Sequence, residues 1–431
     1  MQVILLAAGR STRLAPISDK NTLQFSGKTL IEHQVGALKS AKLRDIVVVG
    51  GAHNLNQLKR ALKQYNNVVV VEQKKLEDGM AGGVLAGAPH VKHEQILVMS
   101  TNDIFEPWLL EKTIQAAKNG VQGVIVGSKV ESYFPGGYLE SDKKGYVTHI
   151  TEKPVPGKEP SKYVNLVLHI FNDFPKFLSH LKKAKSRRDD VYEVALNDYI
   201  KKGKAKLELF KYHGYWQPIK FPWHVLRVME RYLAGQVKRI DRTALISKTA
   251  VINGNVIIGP KVKIFDHAVI QGPAYIGEGT VIGSNAFIRQ SMVGTNCVIG
   301  FGTEVTRSYL NNDIWTHTNY IGDSMVGSNV SFGAGTVTGN LRFDEANVRV
   351  MVKKEKVDTG MPKFGAIIGH GARLGVNCSI NPGRKIGCGA FVGANVLVDE
   401  DIEDNKMVLL KQQLKITTNL VKADTKGRKA V

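Results

Sequence analysis

Near the start of the chain an apolar run, VILLAA, gives way abruptly to Gly9-Arg10-Ser11-Thr12-Arg13, with Lys20 a little further on. A glycine turn between a strand and a helix gathers several backbone N–H groups at one point, which favours an anion. Arg13 and Lys20 would add charge to such a point. An ordinary strand-to-helix turn uses the same residue types, so the stretch alone leaves both readings open. His317, one of twelve histidines, is a further group that ionises near neutrality. Taken by itself, it reads more simply as an exposed corner residue. Cys297, Cys378 and Cys388 have no metal-like spacing, which argues against a zinc site or a disulfide framework.

Two kinds of element must position these groups. From residue 1 to about 235, short β-branched runs alternate with helical stretches. VILLAA, DIVVVGG (45–51), VVVVEQ (68–73) and ILVMST (96–101) are the strands. TLIEHQVGALKSA and LNQLKRALKQY carry apolar residues at three-to-four spacing, as amphipathic helices do. This alternation predicts a parallel, doubly wound α/β sheet covered on both faces, with ligands at the carboxyl ends of its strands. The second domain, 236–431, has a different beat: Ile246, Ile252, Ile258, Ile264, Ile270, Ile276, Ile282 and Ile288 recur every six residues. The beat returns as Ile368, Leu374, Ile380, Ile386, Val392 and Val398. A period of six fits neither helix nor strand and predicts a solenoid whose stacked coils bury one aliphatic column. Residues 339–365 break the beat and are expected to loop out, and the basic stretch from Lys411 to Val431 is expected to fray.

Bulk composition bounds the partners. The 431 residues suffice for two or three domains, and 43% hydrophobic with 23% charged residues is ordinary for a soluble globular protein. No stretch approaches the ~20 apolar residues of a membrane span. VILLAA is too short for a signal peptide and has no basic residue before it, so a reducing, cytoplasmic setting is expected. The net charge of +21 could mark a nucleic-acid binder, but the lysines are scattered and no basic block is interleaved with aromatics. A basic proteome or a cytoplasm of high ionic strength would explain the charge. So would attraction for sugar phosphates and nucleotides. Neither a nucleic-acid nor a membrane partner is expected.

LAAGRSTRL, then Lys20, then GKTLIEH resemble the signature of sugar-1-phosphate nucleotidylyltransferases. The spacing from Gly9 to Gly27-Lys28 is that of the bacterial enzyme that makes UDP-N-acetylglucosamine. The resemblance implies that the turn at Ala8 and Gly9 holds the nucleotide and that Arg13 and Lys20 act on its phosphates. Positive charge there suits attack of a sugar phosphate on the α-phosphorus with loss of pyrophosphate. Further landmarks follow in order. Gln73 and Gly79, in VEQ and DGMAGG, stand where the family reads the base. Asp103, closing ILVMSTND, stands where it binds magnesium; a helix-capping aspartate is the plain alternative. Gly137 (GGYL), Glu152 (ITEKP) and Asn165 (YVNLVLHIF) stand at sugar-binding positions. Ser11, Asp19, Met80 and Val167 depart from the pattern, and Pro218 replaces an aspartate that supplies the second magnesium ligand in many relatives.

The six-residue beat resembles the left-handed parallel β-helix of hexapeptide-repeat acyltransferases. HTNYIGDSMVGSNVSFGAGTVTGNLRFD (317–344) resembles the acetyltransferase half of bifunctional enzymes of UDP-N-acetylglucosamine synthesis, closest to the archaeal type. That family implies His317 as general base, with Tyr320 and Asn340 touching substrate and Arg289 gripping the sugar phosphate. Arg307 stands in for an absent lysine, though the two are not interchangeable. Ala334 and Asn377 fall where relatives contact coenzyme A. No residue has the look of a nucleophile for a covalent acetyl-enzyme, so direct transfer is expected. The family also implies a homotrimer, with magnesium, acetyl-CoA and UTP as cofactor and co-substrates. The lead reading is acetylation of glucosamine-1-phosphate followed by uridylylation of the product. Two others stay open: a nucleotidylyltransferase alone, using glucose-1-phosphate with UTP or dTTP, and a non-catalytic first domain as in the translation initiation factor 2B subunits.

Overall fold

The β-branched runs form strands, three of them buried on both faces and the fourth, Val68–Glu72, half-exposed at the sheet edge. In the computed structural model, which describes residues 1–17, 19–118 and 120–420, Gln2–Leu6 pairs in parallel with Ile46–Gly50 and Ile96–Ser100. Val68–Glu72 joins in parallel outside Ile46–Gly50. Val3, Leu5, Val48 and Leu97 face helices Leu30–Ser40 and Leu55–Leu62, while Ile4, Val47, Val49 and Val98 face Gly79–Gly87. Burial on both faces is why these strands read as unbroken apolar runs. Thr29 and Glu32 close a capping box that starts the first helix. Past Ile96–Ser100 the sheet becomes mixed. Tyr163–Phe171 runs antiparallel to Ile96–Ser100 and to Gly123–Lys129, and Leu207–Tyr212 lies parallel to Gly123–Lys129. An apolar run reports burial but not direction, so the antiparallel half was not visible in the pattern.

Helix Pro222–Ala234 leads into the left-handed β-helix, whose strands are only two or three residues long. Val251–Asn253, Val269–Gln271, Phe287–Arg289, Glu304–Thr306 and Tyr320–Gly322 stack in parallel register on one wall. Ile258, Ile264, Ile270, Ile276, Ile282 and Ile288 form the buried column. The beat lapses after Ile288 for a structural reason. Five positions instead of six separate Ile288 from Val293, Val305 from Leu310, and Ile321 from Val326, always at the corner leaving this wall. The tightened corners place Gln290, Arg307 and Asp323 at positive φ of 49°, 44° and 47°.

Between Thr338 and Ile367 the chain leaves the coils and forms an antiparallel hairpin, Arg349–Val352 with Glu355–Asp358. Val348, Val350 and Val352 pack with Leu14, Ile17, Ile219 and Trp223 of the first domain and with Met292, Tyr309 and Met325 of the solenoid. One apolar core therefore spans both domains. The Tyr309 hydroxyl accepts a hydrogen bond from Gln24 N at 2.9 Å, and Arg227 donates to Thr359 O at 3.1 Å. From Lys411 to Leu420 the chain is exposed and without regular structure; residues 421–431 lie outside the described residues. Among the described residues no helix is long and apolar enough to cross a membrane.

Candidate active sites

Three cavities open at the carboxyl ends of the parallel strands, and Asn102 lines all of them. Ala8, Gly9, Gln73 and Gly79 line the first, of about 440 Å³. Gly137, Glu152 and Asn165 line the second, of about 290 Å³, together with Arg13 and Asp103. Lys20 and Arg13 line the third, of about 220 Å³. Every first-domain candidate site residue named from the sequence thus borders these adjoining cavities. Asn102 was not among them, because an asparagine after a strand carries no signal of its own.

The turn after the first strand is held from below by amides. Asn21 and Asn54 each donate to Ala7 O, at 3.0 and 2.9 Å. Asp19, which departs from the family pattern, accepts from Asn21 N at 2.8 Å and from the Asn21 and Asn54 side chains. Its carboxylate is thereby occupied inside the scaffold. Ser11 takes a left-handed conformation at φ 52°, which a glycine would adopt without strain; the side chain costs about 1 kcal/mol there. Lys20 is buried, and desolvation pulls its ammonium down to about 8 against the opposing pull of Asp19 and Asp103.

Gln73 donates to Lys75 O and Gly79 O, both at 2.9 Å, which leaves its carbonyl as the free acceptor in the first cavity. Gly79 has φ 54°, and a Cβ there would collide with Asp189. A Cβ on Gly137 would come within 3.0 Å of Glu152, so the glycine keeps that carboxylate accessible. Asn165 is oriented by a relay the sequence did not reveal. Its Oδ1 accepts from His169 Nε2 at 2.7 Å, and His169 Nδ1 accepts from the Tyr192 hydroxyl at 2.9 Å. Burial pulls His169 down to about 3, so the ring is neutral and its tautomer is set by these partners. Glu193, between the first two cavities, is pushed up to about 7 by burial and then by Glu152.

Asp103 is buried and accepts a hydrogen bond on Oδ1 from Trp216 Nε1 at 2.8 Å. Burial raises its pKa, and the indole bond opposes the shift. Pro218 pairs directly with Asp103 across the two-stranded ladder, so no second carboxylate stands opposite. Lys220, two residues on, lines both the second and third cavities. Burial pulls its ammonium down to about 8. One carboxylate fits a magnesium ion that takes its remaining ligands from substrate phosphates and water, which is how Mg²⁺ usually binds. It does not fit an all-protein cage, and among the described residues no cluster of three or more acidic, His or Cys side chains could form one.

In the solenoid, the tightened corners bring the candidate acyl-transfer residues together. Arg307 forms a bidentate pair with Asp323, at 2.6 and 2.7 Å. Asn340 donates to Asp323 and, at 3.1 Å, to the Tyr320 hydroxyl. Arg289, one coil away, pairs with Glu304 at 3.1 Å and keeps a buried Nε without a partner. Asp323 therefore holds Arg307 and Asn340 directly and Tyr320 through Asn340, although it was legible only as part of HTNYIGD. His317 is exposed on the adjoining corner, its backbone N–H bound to Asn319 Oδ1 at 2.8 Å. Ala334 and Asn377 are exposed and adjacent, joined by Asn377 N donating to Ala334 O at 2.9 Å.

Residues 2–219 match the nucleotidyl transferase family, and residues 234–353 match the GMPPB C-terminal domain. The chain is 32% identical over 429 residues to the bifunctional protein GlmU of Methanococcus vannielii, covering 96% of this chain and 99% of that one. It is 31% identical over 416 residues to the bifunctional sugar-1-phosphate nucleotidylyltransferase/acetyltransferase of Sulfurisphaera tokodaii, covering 93% and 98%. Fold and sites together define a two-domain transferase, with a nucleotidylyltransferase domain joined to an acetyltransferase β-helix. The chain belongs to the archaeal-type family of bifunctional sugar-1-phosphate nucleotidylyltransferases/acetyltransferases.

Proposed function

We propose that the chain acetylates glucosamine-1-phosphate from acetyl-CoA at the solenoid and then couples N-acetylglucosamine-1-phosphate to UTP at the first domain. The observation that carries the second step is the junction at Asn102, which lines all three cavities, of about 440, 290 and 220 Å³, the last of them lined by cations. In this reading Gln73 Oε1 accepts from a ring N–H of the base, while Glu152, Gly137 and Asn165 hold the sugar. The sugar phosphate oxygen attacks the α-phosphorus, the bond to the β-phosphate breaks, and pyrophosphate leaves. Arg13 and Lys20 stabilise the charge that builds on the phosphate oxygens. A magnesium ion held through Asp103 would neutralise further phosphate charge.

At the solenoid, His317 takes a proton from the sugar amine as the nitrogen attacks the thioester carbonyl. A C–N bond forms, the C–S bond breaks, and the coenzyme A thiol departs. Arg289 and Arg307 face the sugar phosphate, with Tyr320 and Asn340 on the sugar. Ala334 and Asn377 lie on the coenzyme A side, between neighbours of a homotrimer.

Purified full-length protein should release free thiol from acetyl-CoA with glucosamine-1-phosphate, and pyrophosphate from UTP with N-acetylglucosamine-1-phosphate. His317→Ala should abolish thiol release and leave pyrophosphate release intact. Unchanged thiol release in that variant would refute the acyl-transfer assignment. Galactosamine-1-phosphate, glucose-1-phosphate and dTTP in the same assays define the substrate range. Pro218 opposite Asp103 favours a second reading, in which the first domain binds nucleotide without transferring it. Nucleotide binding with no pyrophosphate from any pair would select that reading.

A further inference from the structure

The third cavity contains a residue from the other domain. It is lined by four cationic side chains, Arg13, Lys20, Lys220 and Lys353, and by the hydroxyl-bearing Ser11 and Thr12, with no carboxylate among its lining residues. Lys353 lies at the turn of the hairpin that the solenoid sends back to the first domain. Four cations share about 220 Å³, and the nearest carboxylates, Asp19, Asp103 and Glu152, act on Lys20 and Lys220 from outside the lining, so the cavity itself presents only positive charge and suits an anion. The cavity adjoins the first and second cavities at Asn102, so a ligand seated in those two could reach it.

The position of Lys353 is set by the fold. Val348, Val350 and Val352 are buried against Leu14, Ile219 and Trp223. Arg227 ties the base of the hairpin through Thr359 O, and Lys385 donates to Met351 O beside the turn. The next residue, Lys354, is also exposed but does not line the cavity. The two lysines thus differ in placement, not in chemistry.

We propose that Lys353 is a ligand for the pyrophosphate end of the bound nucleoside triphosphate, so that the solenoid domain supplies part of the nucleotidylyl-transfer site. The proposal rests on the nucleotidylyltransferase reading above and adds a phosphate contact delivered in cis from the acetyltransferase half. Leaving-group charge would then be met by Arg13 and Lys20 from the turn, Lys220 from the segment after Pro218, and Lys353 from the hairpin.

Isothermal titration of the full chain with inorganic pyrophosphate, UTP and UMP tests this. Lys353→Ala should weaken pyrophosphate and UTP binding about ten-fold, the effect of losing one charge-assisted contact, and leave UMP binding unchanged. Lys353→Arg should retain most of the affinity, and Lys354→Ala should bind as the wild type does. Thiol release from acetyl-CoA should be the same in all of them. Unchanged pyrophosphate affinity in Lys353→Ala, or an equal loss in Lys354→Ala, overturns the assignment. A wild-type chain that binds neither UTP nor pyrophosphate would instead overturn the underlying nucleotidylyltransferase reading.

Discussion

Lys20 and Lys220 are the residues in which burial and charge are in most direct tension. Each is pulled down to about 8 by desolvation, from an ordinary value of 10.5. A lysine holds phosphate only while protonated, and its charge is lost as pH rises through its own pKa. The free protein should therefore carry both charges at pH 7 and lose them above about pH 8. The ratio kcat/KM for UTP, which reports the free enzyme, is expected to fall over that range. A profile flat to pH 10 would show that neither lysine is shifted. Arg13, Lys20, Gln73 and Glu152 were legible as candidates because their types and order follow the family pattern, and all four line the cavities. His169 and Glu193 were not, because their roles arise from burial and from neighbours brought together by folding.

Elements decide where side chains are absent as much as where they point. Helix Gly79–Gly87 begins at a residue with φ 54° and ψ −139°, a region that only glycine enters readily. Its missing Cβ also leaves room for Asp189. Gly79→Ala should lower stability by about 1–3 kcal/mol, measured by thermal denaturation, and weaken UTP binding with little change in thiol release. A variant with wild-type melting temperature and UTP affinity would show that the turn is freer than it looks. In the solenoid the six-residue beat revealed the coils, but the candidate acyl-transfer residues lie where the beat fails. The missing corner residue tightens the turns at Gln290, Arg307 and Asp323 and lets the Arg307–Asp323–Asn340 network span successive coils. A periodic pattern shows what the core needs, and the site departs from it.

The whole molecule is two domains around a shared core. Leu14, Ile17, Phe25 and Ile219 of the first domain are buried with Tyr309, Met325, Val350 and Phe364 from beyond the linker helix. Residues 1–235 expressed alone would expose this surface and lose Lys353 from the third cavity. That fragment should melt below the first transition of the full chain, aggregate more readily and show a raised KM for UTP. Equal stability and an equal KM would mean that the interface is passive.

By itself the sequence determined the two architectures, since one follows from alternating apolar runs and the other from a six-residue period. It also gave the order of the candidate site residues, because strand ends and corners are local features. Tertiary structure alone decided the antiparallel half of the sheet, the relay that orients Asn165, the single carboxylate at Asp103 and the reach of the hairpin into the first site. Each depends on contacts between segments far apart in the chain. Local periodicity reports which side of a segment is buried, not what it is buried against.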